Sequence, residues 1–417
     1  MSTITLTEDQ QNAYDRFVQF ILDPHEQVFV LAGYSGTGKS TLVKTIVSSL
    51  DNVIKTAKLI NSDLHIMDHQ LTATTNKAAE NLALITNSSV RTIYSLLGIT
   101  VRTDYKTGQT SLGVRNNARK LENTLIFVDE ASYIDRYLLT KIFELTINCK
   151  IVFIGDPAQL VQVKSSSAPV FTAGFNGAEL RKVVRQAEGN PIIDLSAKFR
   201  NTVETGEFFS FKPDGVSIRH VPREEFVAEI KKEFVDSTWH HSRSKVLAWT
   251  NKRVTAYNEA INNEVAGQPE LKLGDYAVCN NYICATGTDK PIKTDQMVCI
   301  TGLSDYQENR GVMGRVVLLD NSATFFLPNN YADINLTIQD AIKKGDSSAV
   351  AYVTNNWIDL RAAYSCTINK SQGSTYNKVF IDLDDVKKCR NPNQLARLLY
   401  VGVSRASDSV IFTGDLI

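Results

Sequence analysis

Short apolar runs alternate with helical stretches along much of the chain, which is the pattern of parallel α/β layers. The runs predict buried strands at Val28–Ala32, Leu125–Asp129, Ile151–Gly155, Val246–Thr250, Val379–Leu383 and Val410–Thr413. These strands fall into two groups, one before residue 180 and one after residue 240. The sequence therefore predicts an α/β fold with two separate sheets.

Two stretches interrupt this pattern. Residues 255–360 are rich in Asn, Gly and Thr and contain short β-like runs, such as Met297–Thr301 and Gly314–Leu319, which predict a β-rich insertion in the second α/β unit. In Ile99–Arg115, β-branched residues alternate around Lys106-Thr107-Gly108, which predicts a β-hairpin.

Composition narrows the class of protein. A chain of 417 residues is expected to form about two to four compact units. The formal net charge is zero, so any groove for nucleic acid must be locally basic while other surfaces are acidic. Balanced charge argues against a protein that coats nucleic acid and is compatible with one that grips and releases it.

Cysteine spacing and hydropathy predict a cytosolic protein. The six cysteines show no CxxC pair, so we expect reduced thiols. No apolar run has the length of a signal peptide core or a membrane span, and no membrane association is expected. The histidines and cysteines predict no metal site beyond the metal that a nucleotide brings.

The string Gly33-Tyr34-Ser35-Gly36-Thr37-Gly38-Lys39-Ser40 fits the phosphate-binding pattern GxxxxGK[ST] between an apolar strand and a helical stretch. Glycines allow backbone N–H groups to turn toward phosphates, and the helix N-terminus favours negative charge. Lys39 is expected to neutralise the β- and γ-phosphates of ATP, and Ser40 to ligate Mg²⁺. The alternative is an ordinary flexible glycine turn.

Acidic and amide side chains follow two further predicted strands. Asp129 and Glu130 end the run at Leu125–Val128, where Asp129 is expected to hold the Mg²⁺ shell and Glu130 to activate the attacking water. Gln159 follows the strand ending at Gly155, and its neutral amide suits a sensor of the γ-phosphate. Either feature alone is also compatible with a plain surface turn.

Six further strings accompany the phosphate loop. They are Leu6–Gln10, Leu71–Ala79, Ser89–Leu97, Val183–Gln186, Ser365–Thr375 and Leu399–Ala406. In this order they resemble the Q motif and motifs Ia, Ib, IV, V and VI of the superfamily 1 helicases, in the B subgroup of RecD-like and Dda-like enzymes. The last two strings are the most specific, because a generic phosphate-loop protein carries neither.

The resemblance implies a domain plan. Residues 1–180 would form a first RecA-like motor domain with a strand-separating pin at 98–120, and residues 181–254 and 361–417 a second one. Residues 255–360 would be an SH3-like module that braces the pin. The aromatic side chain expected after the hairpin turn is not in that position, because Tyr105 precedes the turn.

The resemblance also implies roles for individual residues. Gln10 would read the adenine edge, and Arg185 and Arg405 would reach the γ-phosphate from the second domain as arginine fingers. The predicted catalytic set is Lys39, Glu130, Gln159, Arg185 and Arg405. The predicted nucleotide-binding set is Gln10, Gly33, Ser35, Gly36, Thr37, Gly38, Lys39, Ser40, Thr41, Arg185, Gly373 and Arg405, with Ser40 and Asp129 on the metal.

Hydroxyls, amides and aromatic rings in these motifs are candidates for the nucleic-acid contacts. Neutral contacts to the backbone suit a translocating enzyme, since each contact must break in every cycle. The predicted set is Thr72, Thr74, Asn76, Thr92 and Thr367 for the backbone and Tyr94 and Trp357 for base stacking, with Tyr105 and Lys370 as further nucleic-acid-binding residues. Tyrosine and tryptophan are also common in protein cores, which is the competing explanation.

The function implied by the resemblance is an ATP- and Mg²⁺-dependent DNA helicase that moves 5′→3′ on single-stranded DNA and opens forked duplexes. A monomer in the cytoplasm is expected to suffice, with single-strand-binding or replication proteins as candidate partners. Two alternatives stay open. One is a helicase of the same superfamily directed to RNA. The other is a phosphate-loop ATPase that binds nucleic acid as a switch or scaffold without unwinding it.

Overall fold

The computed structural model describes residues 5–103, 110–116, 118–161, 168–182, 190–236, 238–267, 270–284 and 291–416. The chain divides into two compact units. Unit 1 comprises Met1–Asn190 and Ala197–Phe208, and unit 2 comprises Pro191–Ser196 and Phe209–Ile417. Among the described helices, none combines the length and the hydropathy that a membrane span requires.

The regular elements are numbered in chain order. The helices are α1 (Glu8–Leu22), α2 (Lys39–Ile60), α3 (Asn76–Thr86), α4 (Ile93–Leu96), α5 (Arg136–Glu144), α6 (Pro169–Thr172), α7 (Pro191–Thr205), α8 (Arg223–Val235), α9 (Asn251–Ala266), α10 (Ala332–Lys343), α11 (Ser347–Asn356), α12 (Ile368–Ser371), α13 (Leu383–Val386) and α14 (Pro392–Val403). The strands of unit 1 are β1 (Val28–Gly33), β2 (Asp68–Ala73), β3 (Val90–Thr92), β4 (Ile99–Thr103), β5 (Thr110–Val114), β6 (Leu121–Glu122), β7 (Thr124–Asp129), β8 (Thr146–Ile147), β9 (Lys150–Gly155) and β10 (Gly177–Leu180). The strands of unit 2 are β11 (Ile218–His220), β12 (Ser244–Ala248), β13 (Tyr276–Cys279), β14 (Met297–Asn309), β15 (Val312–Leu319), β16 (Thr324–Pro328), β17 (Leu360–Ala362), β18 (Ser365–Thr367), β19 (Tyr376–Asp382) and β20 (Ala406–Thr413).

Unit 1 is built on a parallel sheet with the strand order β10-β1-β9-β7-β2-β3. The central strands are apolar on both faces because helices cover both sides, as in other parallel sheets. On one side, Phe17 and Phe20 of α1 pack against Phe29 and Phe127. Each such buried ring contributes about 1.5–3 kcal/mol relative to exposure. The predicted strands in this unit are confirmed as β1, β7 and β9.

Unit 2 contains a second parallel sheet, with the strand order β11-β20-β19-β12-β18. The three strands predicted here are confirmed as β12, β19 and β20. The predicted strand Val246–Thr250 extends two residues too far, because the Thr250 hydroxyl accepts a hydrogen bond from the Arg253 N–H and so begins α9.

The β-rich insertion differs in part from the prediction. Its antiparallel sheet has the order β16-β15-β14-β13-β17, and β14 and β15 include the predicted runs Met297–Thr301 and Gly314–Leu319. Residues 255–360 also contain most of α9 and all of α10 and α11, so the stretch is not β throughout. The helices α10 and α11 form because Ile334, Ile338 and Val353 gather around Trp357 in a small core.

The stretch predicted as a hairpin contains β4 and β5, which pair antiparallel from Ile99 opposite Val114 to Thr103 opposite Thr110. The predicted turn at Lys106–Gly108, with Tyr105, lies outside the described residues. The Tyr137 hydroxyl donates to the Leu112 carbonyl at 3.1 Å, which links β5 to α5. The base of the pair is therefore fixed to the parallel sheet domain.

An ion-pair cluster fixes the carboxyl end of β19 to α8 and α9. The Asp382 carboxylate is fully buried and accepts from Arg223 at 2.8 and 3.1 Å, from Arg253 at 2.6 Å and from the Tyr257 hydroxyl at 2.7 Å. Burial by itself raises the pKa of Asp382, but hydrogen bonds from Arg223, Tyr257 and Arg253 outweigh it and lower this pKa to about 2.

Replacing Asp382 by asparagine is expected to lower the free energy of unfolding by about 2–3 kcal/mol at pH 7. Arg253 loses its carboxylate partner, and Arg223 keeps only Asp384, while both guanidinium groups are about a third exposed to water. Since the folded-state pKa lies below the unfolded value of about 3.9, the carboxylate stabilises the fold above that value and loses its effect as pH falls toward about 2. The pH-dependent part is about 2 kcal/mol after allowance for the partly exposed arginines, with about half lost by about pH 3.

Urea unfolding of the wild type and of Asp382→Asn between pH 7 and pH 3 measures this difference. Asp305→Asn, which changes an exposed carboxylate of unit 2, serves as the control and is expected to be neutral. A stability difference that stays constant over the pH range would assign the effect to packing instead of charge.

Candidate active site

The phosphate loop joins β1 to α2 in unit 1. Gly36 and Gly38 have φ of 81° and 80°, in the left-handed region where a side chain is strained. Gly33 needs a different explanation, because an added Cβ would lie 2.9 Å from the Lys39 side chain and 3.1 Å from Leu180. Gly38 precedes α2 without a side chain to cap it, so N–H groups of the first helical turn face the loop.

Lys39, Ser40 and Thr41 form the start of α2. The Lys39 ammonium donates to the Gly33 carbonyl and, at 2.9 Å, to the Tyr34 carbonyl, so it lies along the inside of the loop. The Thr37 hydroxyl donates to the same Tyr34 carbonyl at 2.9 Å. Ser40 is exposed and Thr41 is half-buried. The predicted phosphate ligands Ser35, Gly36, Thr37 and Gly38 thus share one loop with the lysine.

Gln10 contacts the phosphate loop directly. Its side-chain amide donates to the carbonyls of Thr37 at 3.3 Å and Gly38 at 3.4 Å, while its oxygen accepts from the Thr7 N–H at 3.0 Å. With 3% of its surface exposed, Gln10 holds the loop against α1 in this structure. Its predicted contact with an adenine base stays a prediction.

The acidic pair stands at the carboxyl end of β7, beside β9 and β2 in the sheet. Glu130 has φ of 54° and ψ of 45°, an uncommon conformation for a residue with a side chain and one that clusters at functional sites. Its N–H donates to the Asp129 carboxylate at 2.8 Å. Burial raises the pKa of Asp129, and the Glu130 N–H and the charge of Lys39 oppose this increase. Lys39 and Asp129 therefore share one electrostatic site.

Gln159 follows β9 in the same unit. It is 5% exposed, and its amide contacts the Asp156 carboxylate at 3.5 Å. Asp156 in turn accepts the Ala158 N–H at 2.9 Å, which fixes the turn after Gly155. The sensing role of Gln159 stays a prediction.

Arg405 follows α14 in unit 2 and is 6% exposed. Its guanidinium donates to the carbonyls of Ser374 at 3.1 Å and Val401 at 3.2 Å and to the Ser404 hydroxyl at 2.8 Å. Gly373, which precedes Ser374, has φ of 76°. The structure thus brings the predicted motif V and motif VI residues together. The other predicted arginine, Arg185, lies outside the described residues.

Three nucleic-acid predictions are corrected by burial and bonding. Thr72 is fully buried, and its hydroxyl donates to the Phe127 carbonyl at 2.6 Å, so it cannot meet a phosphate. The Thr74 hydroxyl donates to the Glu130 carbonyl at 3.0 Å, which makes it part of the acidic turn. Trp357 has no exposed surface and packs against Phe326 at 5.0 Å between ring centres, so the stacking role is wrong.

The remaining predicted contacts lie where strands end and helices begin. Asn76 is the first residue of α3, and the hydroxyls of Thr92 and Thr367 accept the N–H of the third residue of α4 and α12. Tyr94 is half-buried, and burial, then Asp135, raises its pKa to about 12. Their contacts with nucleic acid stay predictions.

Lys370 is held by the β-rich insertion. Its ammonium pairs with Asp295 at 2.9 Å and donates to the Asn280 side chain at 3.2 Å. Both charged side chains are 40% exposed, and exposed pairs of this kind contribute about 0–1 kcal/mol. A phosphate group could therefore replace Asp295 as the partner of Lys370 at a small cost in free energy.

At one edge of each parallel sheet, the edge strand pairs with a strand that a threonine-capped helix follows. In unit 1, Ala73 of β2 pairs with Thr92 of β3, and Thr75 caps the helix after β2. In unit 2, Ala248 of β12 pairs with Thr367 of β18, and Thr250 caps the helix after β12. The string Thr-Asn-Lys occurs at both caps, at residues 75–77 and 250–252, and this repeat is the sequence signal that could have revealed the equivalence.

Tyr34 is a phosphate-loop residue that the sequence did not single out. Its hydroxyl lies 2.9 Å from Glu179 and 2.7 Å from Glu204, and the Arg200 guanidinium lies over its ring at 4.3 Å. Burial, then the carboxylates of Glu204 and Glu179, raises the pKa of Tyr34. These partners are more than a hundred residues away in sequence, so no local spacing could have indicated them.

The chain is similar to proteins that include known helicases. RecBCD enzyme subunit RecD of Buchnera aphidicola is 29% identical over 209 residues, which cover 44% of this chain and 32% of that protein. ATP-dependent DNA helicase dda of Enterobacteria phage T4 is 27% identical over 333 residues, which cover 77% of this chain and 69% of that protein. The structure of Pif1 helicase from Bacteroides in complex with ADP-AlF3 and ssDNA has a TM-score of 0.52 at 18% identity, covering 99% of this chain and 93% of that one.

Family models decide the assignment. A model described as an AAA domain matches residues 5–215, which is half of the chain, and a model described as a UvrD-like helicase C-terminal domain matches residues 362–413. The chain belongs to the AAA domain family. With its helicase C-terminal match, it is a superfamily 1B helicase. The likeness to Pif1 shows the fold of two RecA-like domains in this helicase.

In this helicase, Glu130→Gln is expected to bind ATP and to lower kcat by about 10²–10⁴-fold, because the amide cannot accept a proton from the attacking water. Pre-steady-state ATP binding and steady-state hydrolysis measure the two effects separately. The control is Glu122→Gln, an exposed residue just before the same strand, which is expected to hydrolyse ATP normally. An unchanged rate for Glu130→Gln would remove this residue from the role of base.

Proposed function

We propose that this protein is an ATP-dependent DNA helicase that moves 5′→3′ along single-stranded DNA and unwinds duplex. One observation carries the proposal. Unit 1 unites the Lys39 phosphate loop with the Asp129–Glu130 turn, in a chain that also has a helicase C-terminal domain. Support for DNA comes from the relatives RecD and dda, the second of which is described as an ATP-dependent DNA helicase.

The residues of unit 1 fit ATP with Mg²⁺. The loop contains two left-handed glycines, an uncapped helix N-terminus and an ammonium group, all of which suit a triphosphate. The exposed Ser40 hydroxyl and the Asp129 carboxylate are oxygen ligands of the kind that Mg²⁺ prefers. When bound, Mg²⁺ supplies positive charge that offsets the phosphate charge. Lys39 orients the β- and γ-phosphates, and Glu130 accepts the proton of the attacking water.

Roles for residues of unit 2 belong to the same proposal. Arg405, and Arg185 by resemblance, would stabilise the negative charge that develops on the γ-phosphate. The support for Arg405 is its fixed guanidinium, which three acceptors hold in one orientation. Gln10 and Gln159 are proposed to monitor the nucleotide through the phosphate loop and the turn after β9.

For the nucleic-acid track, we retain Asn76, Thr92 and Thr367 as backbone contacts, with Lys370 as a charged contact. The observation that supports this set is its place at strand ends next to helix starts in both units. Tyr94 remains the candidate for stacking among the described residues. A stacked base contributes about 1–3 kcal/mol to binding without sequence preference.

The domain plan is carried forward as a proposal. Residues 1–180 would serve as the first motor domain, and 181–254 with 361–417 as the second. Residues 255–360 would form an SH3-like module, and its five-stranded antiparallel sheet supports this reading. A single chain is proposed to act alone, with single-strand-binding or replication proteins as candidate partners.

Unwinding assays on duplexes with a 5′ tail, a 3′ tail or blunt ends, each with and without ATP, test the function. We expect ATP-dependent separation of the 5′-tailed duplex alone. Activity on the 3′ tail would reverse the polarity, and ATPase activity without strand separation would favour the switch or scaffold alternative. A parallel comparison of ATPase stimulation by single-stranded DNA and RNA distinguishes the RNA-directed alternative.

Deleting residues 106–108 is expected to spare DNA-stimulated ATPase activity and to lower the unwinding rate at least tenfold. The reason is that a pin separates strands but does not contact the nucleotide. Forked-duplex unwinding and ATPase assays on the same preparation measure both activities. If unwinding survives the deletion, the strand-separating role of the β4–β5 pair is wrong.

A further inference from the structure

Thr74 joins the end of β2 to the acidic turn by two hydrogen bonds. Its N–H donates to the Asp129 carbonyl at 3.1 Å, and its hydroxyl donates to the Glu130 carbonyl at 3.0 Å. The preceding residue, Ala73, pairs in register with Asp129 in the sheet. Only 6% of the Thr74 surface is exposed, which leaves little area for a direct contact with a ligand.

Glu130 depends on such contacts for its conformation. A residue with a side chain remains in the left-handed region only when its surroundings hold it there. The Glu130 N–H is held by the Asp129 carboxylate, and its carbonyl accepts both the Thr74 hydroxyl and the Tyr133 N–H at 3.1 Å. The Thr74 side chain, directly after β2, therefore helps to fix the backbone of the residue whose carboxylate is expected to activate water.

In the carboxyl-terminal direction, Thr74 is followed by the start of α3. Thr75 caps this helix by accepting the Ala78 N–H at 3.1 Å, and Asn76 is its first residue. Two peptide bonds separate Thr74 from Asn76, a proposed contact with the nucleic-acid backbone. A capped helix start and a strand in register leave little freedom to this short segment, which connects Asn76 to the Glu130 carbonyl.

We infer that Thr74 is a positioning residue that links nucleic-acid binding at the start of α3 to the placement of Glu130, and thereby regulates ATP hydrolysis. This inference rests on the proposed function, because it assigns a regulatory contact to the same ATP site. It replaces the direct phosphate contact predicted for Thr74 from the sequence. The nucleic acid acts through Asn76, and Thr74 passes the change to the acidic turn.

The test compares Thr74→Val with the wild type. Valine keeps the β-branched shape and the backbone N–H but removes the hydroxyl. We expect the ratio of kcat with saturating single-stranded oligodeoxythymidine to kcat without it to fall about five- to tenfold, which is the rate equivalent of one hydrogen bond. KM for ATP and Kd for the oligonucleotide are expected to change less than about twofold.

Two further variants separate positioning from stability. Thr74→Ser restores the hydroxyl and is expected to regain the wild-type ratio. Thr124→Val removes another buried hydroxyl, which donates to the Glu122 carbonyl at 2.8 Å at the opposite end of β7. It is expected to lower the melting temperature without changing the ratio. Should Thr74→Val fail to fold, Thr74→Ala is measured by the same criteria.

The outcomes distinguish this inference from the proposed function. If single-stranded DNA does not stimulate the ATPase activity of the wild-type protein, the proposed function itself is contradicted. A stimulated wild type with an equally stimulated Thr74→Val variant overturns the inference alone. A variant that binds the oligonucleotide weakly but is fully stimulated at saturation also overturns it, because Thr74 would then be a direct contact.

Discussion

Lys39→Ala is expected to lower kcat for ATP hydrolysis by about 10²–10³-fold and to abolish unwinding. The ammonium group lies inside the phosphate loop, and its charge already influences the carboxylate of Asp129. When ATP binds, phosphate oxygens would replace the carbonyls of Gly33 and Tyr34 as acceptors for the Lys39 ammonium. In the alanine variant, the negative charge that grows on the phosphate oxygens in the transition state has no ammonium group to stabilise it.

The same variant is expected to fold normally. The Lys39 side chain is half-buried, and the Tyr34 carbonyl that it leaves keeps the Thr37 hydroxyl as a donor at 2.9 Å. Circular dichroism and thermal unfolding check the fold, and a steady-state ATPase assay checks kcat. Lys44→Ala, an exposed lysine on the same helix, is the matched control and is expected to keep full activity. Normal turnover by Lys39→Ala would contradict the assignment of the phosphate loop.

The parallel sheets and the phosphate loop could be predicted because their signals are local. A central parallel strand must be apolar on both faces, which produces a continuous run such as Val28–Leu31. The glycines at 36 and 38 are required by backbone conformation, and Lys39 follows them at fixed spacing. Burial of a strand on both faces and a left-handed backbone conformation each restrict residue types at adjacent positions, so both can be recognised in the sequence.

Individual contacts could not be predicted in this way. Thr72 and Thr74 have the residue type of a phosphate contact, but the same hydroxyl satisfies a buried carbonyl equally well. The choice depends on β7, which lies more than fifty residues further along the chain. The burial of Trp357 is not predictable from its neighbours in sequence for a related reason, since it depends on α10 and α11 forming beside it.

The helices α10 and α11 are not predicted, although α10 carries a helical signal. Its buried residues Ile334, Ile338 and Ala341 recur at spacings of four and three residues, but the surrounding stretch is rich in Asn, Gly and Thr and favours loops and strands. Tertiary packing against Phe326 and Trp357 stabilises such helices more than propensity does. The strained Glu130 conformation likewise follows from the contacts of Thr74 and Tyr133, not from the residue type.

Arg405 provides the second large expected effect. Hydrogen bonds to Ser374, Val401 and Ser404 fix its guanidinium, so removing it has both a structural and a catalytic consequence. The structural part can be estimated with a matched residue. Arg397 lies on the preceding helix α14, is 5% exposed and donates to the Asn393 side chain at 2.8 Å.

Arg405→Ala is expected to lower kcat by about 10³-fold or more while KM for ATP changes little, because an arginine finger acts on charge that exists only in the transition state. Arg397→Ala is expected to lower the melting temperature to a similar extent and to retain kcat. Arg405→Lys keeps the charge but loses the planar fork, so it should recover only part of the rate. Steady-state kinetics and thermal unfolding on all three variants separate the effects. Equal losses of kcat in Arg405→Ala and Arg397→Ala would mean that both act through stability, and a loss confined to KM would assign Arg405 to ground-state binding.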